Sequence, residues 1–165
     1  MLFSQLSNIT NGKILRLEED REIQKFSIDS RKLTEKKSTA FVAIKGERND
    51  GHSFLVEVLN AGIENFIIEN ESKLPKSGNV LLVESGIRAL QAIAKFHREK
   101  YHYPVVAITG SNGKTTVKEW LWEILTKEKK VVKNPKSYNS QVGVPLSVLE
   151  MRNHELGVFE AGISQ

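Results

Sequence analysis

One stretch, residues 104–125, constrains the fold of this chain more than any other. Pro104–Ile108 is a run of small and β-branched residues that predicts a buried strand. The sequence Thr-Gly-Ser-Asn-Gly-Lys-Thr-Thr follows at 109–116, and apolar residues then recur at helical spacing, at Val117, Trp120, Leu121, Ile124 and Leu125. Strand, glycine loop and helix in this order predict a phosphate-binding loop. Glycines let the backbone approach an anion, and the helix N-terminus adds partial positive charge.

The residue types in the loop suggest individual roles. Lys114 would reach the β- and γ-phosphates, and the Thr115 hydroxyl would bind Mg²⁺. Ile108 stands where the standard pattern has its first glycine, and the nearest upstream glycine is Gly110, so the loop is a compact variant. An ordinary turn that happens to precede a lysine is the alternative. The strand, the helix and Lys-Thr-Thr together favour the phosphate site.

Composition sets the broad class of the protein. With 165 residues, 39% hydrophobic and 27% charged, the chain has an ordinary globular composition for one domain or two small ones. The net charge of +4 suits an anionic partner such as a nucleotide, but the charges are scattered and do not predict nucleic-acid binding. The absence of cysteine excludes disulfides, thiolate zinc sites and a cysteine nucleophile. No signal-peptide pattern or membrane-spanning apolar run is present, so we expect a cytoplasmic protein without membrane insertion.

The pattern of elements predicts two domains, 1–100 and 101–165, with a boundary near 98–104. The first is predicted to be a small mixed α/β domain, with helices before Asn11-Gly12 and at 53–61 and 85–100, and strands at 13–17, 22–28, 40–44, 65–69 and 79–83. The second begins a parallel α/β sheet, with strands at 104–109, 130–134 and 156–161 and helices at 114–127 and from about 143. Because such sheets normally have more strands, we expect a fragment of a longer protein.

Two polar residues follow strands of this second sheet. Glu160 ends an apolar strand, and the carboxyl ends of parallel strands face the ligand crevice, so a Mg²⁺-binding role is favoured over a solvated carboxylate. Asn139 lies in the segment after the strand at 130–134. It could contact phosphate, metal or substrate, or it could equally be turn chemistry.

The first domain offers weaker candidates. Asp29-Ser30-Arg31 and the loop 45–52 hold hydrogen-bond donors after strands, but both stretches are also common turn sequences. The four histidines show no metal-ligand spacing, and His97 on its helix face is expected to be packed.

The motifs together resemble the Mur ligases of bacterial cell-wall synthesis. The matching stretches are Ser27–Lys32, Phe41–Glu47, Asp50-Gly51-His52, Thr109–Thr116, Asn139 with Val142–Leu146, and Glu160. They cover nearly the whole chain. The compact Gly-Ser-Asn-Gly-Lys-Thr-Thr loop is the normal form in that family, which accounts for the missing first glycine.

The resemblance implies a small UDP-binding domain followed by the start of a P-loop ATPase domain. It implies that ATP phosphorylates a peptide carboxylate and that an amine then attacks the acyl phosphate. Lys114 and Asn139 would be catalytic, and Thr115 and Glu160 would hold Mg²⁺. The ATP loop would comprise Gly110, Ser111, Asn112, Gly113, Lys114, Thr115 and Thr116. The UDP part of the substrate would contact Ser30, Arg31, Lys45, Gly46 and His52.

Within the family, two features favour the type that adds D-alanyl-D-alanine to UDP-N-acetylmuramoyl-tripeptide. These are Ser-Ile-Asp-Ser-Arg-Lys with Ala-Ile-Lys-Gly-Glu, and Tyr-Pro-Val-Val-Ala-Ile-Thr-Gly directly before the loop. The alternatives are a diamino-acid-adding ligase and a non-catalytic UDP-sugar-binding module. The C-terminal ligase domain lies outside this sequence, so the chain alone is expected to lack ligase activity.

Overall fold

The chain forms two compact units, Met1–Ile93 and Ala94–Gln165, in a computed structural model that describes residues 1–31, 33, 35–46, 49–136 and 138–162. The division falls inside a helix, a few residues before the boundary predicted near 98–104. The predicted domain limits of 1–100 and 101–165 stay a prediction. Among the described residues, no helix has both the length and the apolar character needed to cross a membrane.

The first unit is a mixed sheet with helices, as the sequence predicts. Its strands are β1 (Lys13–Arg16), β2 (Lys25–Ser27), β3 (Thr39–Val42), β4 (Asn65–Ile68) and β5 (Asn79–Leu82). Its helices are α1 (Gln5–Thr10), α2 (Leu55–Asn60) and α3 (Gly86–Arg98), the last of which continues into the second unit. The strand predicted at 22–28 is shorter than expected, and the helix predicted from 53 begins as a 3-10 turn, Gly51–Phe54.

The strand order in the first unit is β1-β5-β4-β3-β2. Strands β2 to β5 are parallel, and only β1 is antiparallel, at the edge beside β5. The core below β3 and β4 includes Phe41, Val58, Ile63 and Phe66, all fully buried. Because four strands run the same way, the segments that follow β2, β3, β4 and β5 leave at one edge of the sheet.

The second unit has a three-stranded parallel sheet. Its strands are β6 (Val105–Ile108), β7 (Val131–Lys133) and β8 (Leu156–Glu160), in the order β6-β8-β7, and its further helices are α4 (Lys114–Leu125) and α5 (Gly143–Val148). Both pairings with β8 are parallel. The loop after β6, the loop after β7 and Glu160 therefore meet at one edge, as predicted.

The prediction that β6 is a buried strand is wrong. Val105 and Val106 are 37% and 40% exposed, and β6 lies at the edge of the sheet, where it pairs with β8 alone among the described strands. The apolar residues at helical spacing in α4 differ in exposure: Trp120 and Ile124 are each 63% exposed, whereas Leu121 and Leu125 are half-buried. The fully buried residue of this helix is instead a lysine, Lys118.

His97, near the end of α3, is packed in the second unit as predicted. It is 9% exposed, its Nε2 lies 2.9 Å from the Met151 carbonyl oxygen, and its ring contacts that of Tyr101. Burial lowers the pKa of His97 below its ordinary value of about 6.5, and the positive charge of Arg152 acts in the same direction. The folded chain therefore favours a neutral imidazole.

The lowered pKa predicts a pH-dependent stability of this unit. As pH falls below about 6.5, His97 takes up a proton in the unfolded chain but not yet in the folded chain. The free energy of unfolding therefore decreases until the pH reaches the lower pKa of the folded chain. His97→Gln should flatten this dependence between about pH 7 and 5. Both tryptophans, Trp120 and Trp122, lie in α4, so tryptophan fluorescence during urea unfolding reports on this unit.

The matched control is His102→Gln, because His102 is exposed. The control should keep the wild-type pH dependence. An identical pH dependence in His97→Gln and wild type would contradict the assignment.

Candidate functional site: a phosphate loop beside a buried carboxylate

The loop between β6 and α4 has the conformation expected of a phosphate-binding loop. Gly110 and Gly113 have φ angles of +142° and +75°, which side chains rarely adopt, and a Cβ at either position would meet open space. Glycine is therefore favoured at both positions by backbone conformation and not by a lack of space beside the loop. Gly113, the N-cap of α4, has no side chain that could cap the helix. The first N–H groups of an α-helix have no partner within the helix, so those of α4 would donate to a phosphate bound at the loop.

Lys114 lies over this loop. Its Nζ donates to the carbonyl oxygens of Gly110 at 2.6 Å and Ser111 at 3.4 Å. Neutral carbonyl groups hold the ammonium at the loop, and none of the described residues offers it a carboxylate partner. A phosphate would offer the same ammonium a charged acceptor, which makes a stronger hydrogen bond.

Three of the predicted residues meet at the edge of the sheet. Glu160, 1% exposed, accepts from the Thr115 hydroxyl at 2.8 Å through Oε2 and from the Asn139 side-chain amide at 2.7 Å through Oε1. The structure thus brings together one residue from α4, one from the loop after β7 and one from β8. Asn139 is fixed from the other side, since its carbonyl oxygen accepts from the Gly162 N–H at 2.7 Å.

Two buried residues that the sequence reasoning missed support this group. Asn134 is fully buried, and it accepts from the Glu160 N–H at 2.9 Å and donates to the Glu160 carbonyl oxygen at 2.9 Å. The same amide donates to the Tyr138 carbonyl oxygen at 2.7 Å. Asn134 thereby joins the end of β7 to the end of β8.

Lys118 is the second missed residue, with no exposed surface. Its Nζ donates to the carbonyl oxygens of Asn134, at 3.1 Å, and Lys136. It lies 3.8 Å from Glu160 Oε2 and 3.4 Å from Glu119 Oε1. The one sequence feature that could have pointed to Lys118 is its position in the amphipathic helix α4, one turn after Lys114. The apolar spacing of α4 gave no indication that this lysine is buried.

Glu119 completes the charged surroundings of Lys118. It pairs with Lys133, whose ammonium also lies 3.7 Å from the centre of the Trp122 ring. The hydrogen bond from Lys133, with a smaller contribution from Lys118, lowers the pKa of the Glu119 carboxyl. Two carboxylates therefore face the one buried ammonium.

The oxygen atoms of Thr115 and Glu160 fit a magnesium ion. Mg²⁺ prefers oxygen ligands, and in nucleotide sites it is commonly held by one or two carboxylates together with phosphate oxygens. A hydroxyl and a buried carboxylate 2.8 Å apart, beside a phosphate loop, provide that donor set. Within the described ranges, no group of three or more His, Asp and Glu side chains is placed to hold a metal.

A second group of predicted residues lies at the carboxyl edge of the first unit's sheet. The Lys45 N–H donates to Glu69 Oε2 at 3.0 Å, and the Gly86 N–H at the start of α3 donates to Glu69 Oε1 at 2.5 Å. Glu69 thus ties the segment after β3 to the segment after β5. Lys45 and Gly46 are exposed on this edge, and the Gly46 N–H closes a turn by donating to the Asn49 carbonyl oxygen at 2.9 Å.

His52 is placed differently from the other UDP candidates. It is 5% exposed, its Nδ1 lies 2.6 Å from Asp50 Oδ1, and its Nε2 accepts from the Glu69 N–H at 2.9 Å. Because Nε2 accepts, Nδ1 carries the proton and donates to Asp50. Both ring nitrogens are used inside the unit, so His52 supports the loop after β3 in this conformation and presents no ring nitrogen to a ligand. The backbone N–H and ring of His52 lower the pKa of Asp50.

Ser30 and Arg31 lie after β2, at the same edge of the sheet. The Arg31 guanidinium makes two contacts with Asp29, at 2.9 Å to Oδ1 and 3.0 Å to Oδ2, and its side chain is 82% exposed. Ser30 is half-buried. The motif residues Lys32 and Glu47 fall outside the described residues.

The fold and the site together define a class of protein: an α/β polypeptide whose compact glycine loop has the form of a phosphate-binding loop, preceded by a separate mixed-sheet unit. Residues 108–165 match the family model of the Mur ligase middle domain. The resemblance to the Mur ligases that the sequence motifs predict is confirmed by this match to the second part of the chain.

Curated relatives narrow the comparison to one ligase type. The chain is 39% identical over 164 residues to the UDP-N-acetylmuramoyl-tripeptide–D-alanyl-D-alanine ligase of Borreliella burgdorferi, covering 93% of this chain and 35% of the relative. It is 36% identical over 148 residues to the ligase of the same name from Bacillus subtilis, covering 88% of this chain and 32% of that one. The chain thus spans about a third of the length of the relatives it matches.

Solved structures agree with these relatives. A crystal structure of MurF from Acinetobacter baumannii matches with a TM-score of 0.85 and 32% identity, over 96% of this chain and 35% of that one. MurF ligase from Thermotoga maritima, solved in complex with ADP, matches with a TM-score of 0.74 and 35% identity, over 86% of this chain and 32% of that one. These matches confirm the predicted α/β fold class.

The buried position of Asn134 predicts a large effect on stability. Asn134→Ala leaves the Glu160 N–H and the carbonyl oxygens of Glu160 and Tyr138 without this partner, in a site closed to water. The free energy of unfolding of the second unit should fall by about 3 kcal/mol. The measurement is urea unfolding followed by tryptophan fluorescence.

Asn153→Ala is the matched control, because Asn153 is exposed. Its unfolding midpoint should stay close to that of wild type. Equal midpoints for Asn134→Ala and Asn153→Ala would show that Asn134 does not hold the two strand ends together.

Proposed function

We propose that the full-length protein is an ATP-dependent ligase that joins D-alanyl-D-alanine to UDP-N-acetylmuramoyl-tripeptide in peptidoglycan biosynthesis. The observation that carries the proposal is the placement of Lys114 and its loop beside the Thr115–Glu160–Asn139 group, in a chain 39% identical to a relative named for that reaction. The reaction would take place in the cytoplasm and serve cell-wall biogenesis, and through it cell shape and division.

The chemistry follows from the needs of the reaction. A carboxylate is a poor electrophile, so transfer of the γ-phosphoryl group of ATP to the tripeptide carboxylate first supplies a leaving group. The amine of D-alanyl-D-alanine then attacks the acyl carbon, and phosphate departs as the amide forms. Enzymes assist such steps mainly by positioning the reactants and stabilising charge.

The residues of this chain would divide that work. The N–H groups at 110–116 and the Lys114 ammonium would bind the phosphates and stabilise the charge on the transferring group. Thr115 and Glu160 would hold Mg²⁺, which when bound neutralises phosphate charge. Asn139 would orient Glu160 and lie within reach of the reacting groups. The C-terminal domain that receives the dipeptide would come from the rest of the polypeptide.

The UDP part of the acceptor is proposed to bind at the carboxyl edge of the first unit's sheet. Ser30, Arg31, Lys45 and Gly46 lie on the segments after β2 and β3. Their donors suit the oxygens of a uridine diphosphate. His52 would act indirectly, by holding the loop that carries Lys45.

The alternatives receive less support. A structure named as the 2,6-diaminopimelate-adding ligase matches with 16% identity and a TM-score of 0.56, so it shares the fold alone. A non-catalytic UDP-sugar-binding module would have no need of Lys114 and Thr115 in a correctly shaped loop.

Calorimetric titration of the 165-residue chain tests the two ligand assignments. UDP-N-acetylmuramoyl-tripeptide and UDP should bind in separate runs, and Mg-ATP should bind in a third. Silence toward both uridine ligands in a folded sample would contradict the assignment of the UDP site to the first unit. The chain alone should form no amide from the complete substrate mixture, and amide formation would contradict its dependence on the remaining domain.

A lysine variant tests the nucleotide loop. Lys114→Ala should weaken binding of ADP by at least about tenfold, because a charged hydrogen bond to phosphate is lost. Lys129→Ala is the control, since Lys129 is exposed beyond the end of α4. Equal affinity of the Lys114 variant and wild type would exclude the proposed role of this loop.

The magnesium assignment has its own measurement. In wild type, ADP should bind more tightly with Mg²⁺ than with a chelator present, and Glu160→Gln should reduce this difference. If Mg²⁺ strengthens ADP binding to Glu160→Gln as much as it does in wild type, Glu160 does not hold the metal. This outcome would leave the result for Lys114 unaffected.

A further inference from the structure

We propose that Lys118 is a positioning residue whose ammonium provides the positive charge that keeps Glu160, Asn139 and the loop after β7 in their binding arrangement. The proposal deepens the proposed function, since it rests on Glu160 and Asn139 forming part of the nucleotide site. Lys118 itself contacts neither the phosphate loop nor the space above it in the described contacts.

The first argument is burial. Lys118 has no exposed surface and Glu160 is 1% exposed. A buried charge without a partner is costly, so buried charges are normally paired and hydrogen-bonded. The Thr115 and Asn139 groups that contact Glu160 are neutral donors. Among the described residues, the Lys118 ammonium, 3.8 Å from Oε2, is the one cation that forms an ion pair with this carboxylate.

The second argument is connectivity. Lys118 belongs to α4, and it donates to two carbonyl oxygens, those of Asn134 and Lys136, on the segment that leads to Asn139. Lys136 has a φ of +48°, in the left-handed region that non-glycine residues rarely adopt. The contact with Lys118 helps to hold this backbone conformation. One side chain therefore ties the helix after the phosphate loop to the segment that carries Asn139.

The third argument is the relation between Lys118 and Lys114. Four residues apart on one helix, they lie one turn apart, and their ammonium groups have separate partners: Lys114 the loop carbonyls, Lys118 the loop after β7 and Glu160. Lys114 is thus placed to bind a ligand phosphate, and Lys118 is placed to pair with the protein's own Glu160 carboxylate. Glu160 is thus held in place before any cation binds, and Lys114 stays available for phosphate.

A double-mutant cycle tests this inference by asking whether Glu160→Gln raises or lowers the thermal midpoint of Lys118→Met. Lys118→Met keeps the length of the side chain and removes its charge, and it should lower the thermal midpoint of the second unit by at least about 10 °C. Adding Glu160→Gln removes the uncompensated charge, so the double variant should melt at a higher temperature than Lys118→Met alone. Tryptophan fluorescence reports the transition, and Lys127→Met, at an exposed lysine just beyond α4, is the matched control.

The outcomes of the cycle decide whether the Lys118 ammonium compensates the Glu160 charge. If Lys118 only fills space, adding Glu160→Gln does not raise the thermal midpoint of Lys118→Met. A double variant that is no more stable than Lys118→Met, or equally unfolded, therefore overturns the proposal. A midpoint for Lys118→Met equal to that of Lys127→Met overturns it as well. Recovery in the double variant supports it even if Lys118→Met itself does not fold.

A nuclear magnetic resonance readout separates positioning from general stability. In wild type and Lys127→Met, the Asn139 side-chain amide should show slowed hydrogen exchange because it donates to Glu160. The protection of the Asn139 side-chain amide should fall, relative to the backbone amides of β8, when Lys118 is replaced by Met. The measurement uses Lys118→Met at a temperature where α4 is still folded, or the double variant. Unchanged protection would contradict the positioning role.

The cycle and the exchange measurement need no ligand, so their failure is distinct from failure of the proposed function. Loss of ADP binding in wild type would count against the nucleotide assignment alone. Recovery in the cycle with normal Mg²⁺ dependence of ADP binding in Lys118→Met would confine Lys118 to stability and overturn its positioning role.

Discussion

The buried carboxylate of Glu160 is the constraint on which the second unit depends. A negative charge with 1% exposure must be compensated, and two segments supply its partners: α4 through the Thr115 hydroxyl and the Lys118 ammonium, and the loop after β7 through the Asn139 amide. The Asn134 side chain, just after β7, holds the Glu160 main chain by accepting from its N–H and donating to its carbonyl oxygen. These contacts bring three chain segments to one edge of a small sheet. Because the carboxylate adjoins the phosphate loop, the requirement for charge compensation also shapes the nucleotide site.

In the first unit, the carboxylate of Glu69 connects neighbouring segments in a similar way. Glu69 follows β4 and accepts from the backbone N–H groups of Lys45 and Gly86, while its own N–H donates to His52. Asp50 completes the chain by accepting from the His52 ring. In each unit an acidic residue at the carboxyl end of a central strand organises the neighbouring segments, and the predicted ligand-binding residues lie on those segments.

Local sequence predicted much of the site, because its signals are short. The loop 109–116 is defined by glycines, a lysine and threonines in direct succession, and Glu160 by a strand that ends in an acid. Their meeting at one edge followed from the parallel order of the strands, which a βαβ pattern implies. Periodicity was less reliable for α4, where Trp120 and Ile124 are exposed and Lys118 is buried, because spacing shows that a helix has two faces but does not show which face the sheet covers.

The sequence by itself determined the α/β class, the order of elements, the compact glycine loop and the resemblance to the Mur ligases, because these depend on local composition and on motifs of adjacent residues. Only the tertiary structure decided the roles of Lys118, Asn134 and His52. Each acts through partners distant in the chain: Lys118 lies 16 residues from Asn134, Asn134 lies 26 from Glu160, and His52 lies 17 from Glu69. A hydrogen bond or a buried charge pair forms between atoms that folding brings together, so its energy is set by burial and distance, which no local pattern contains.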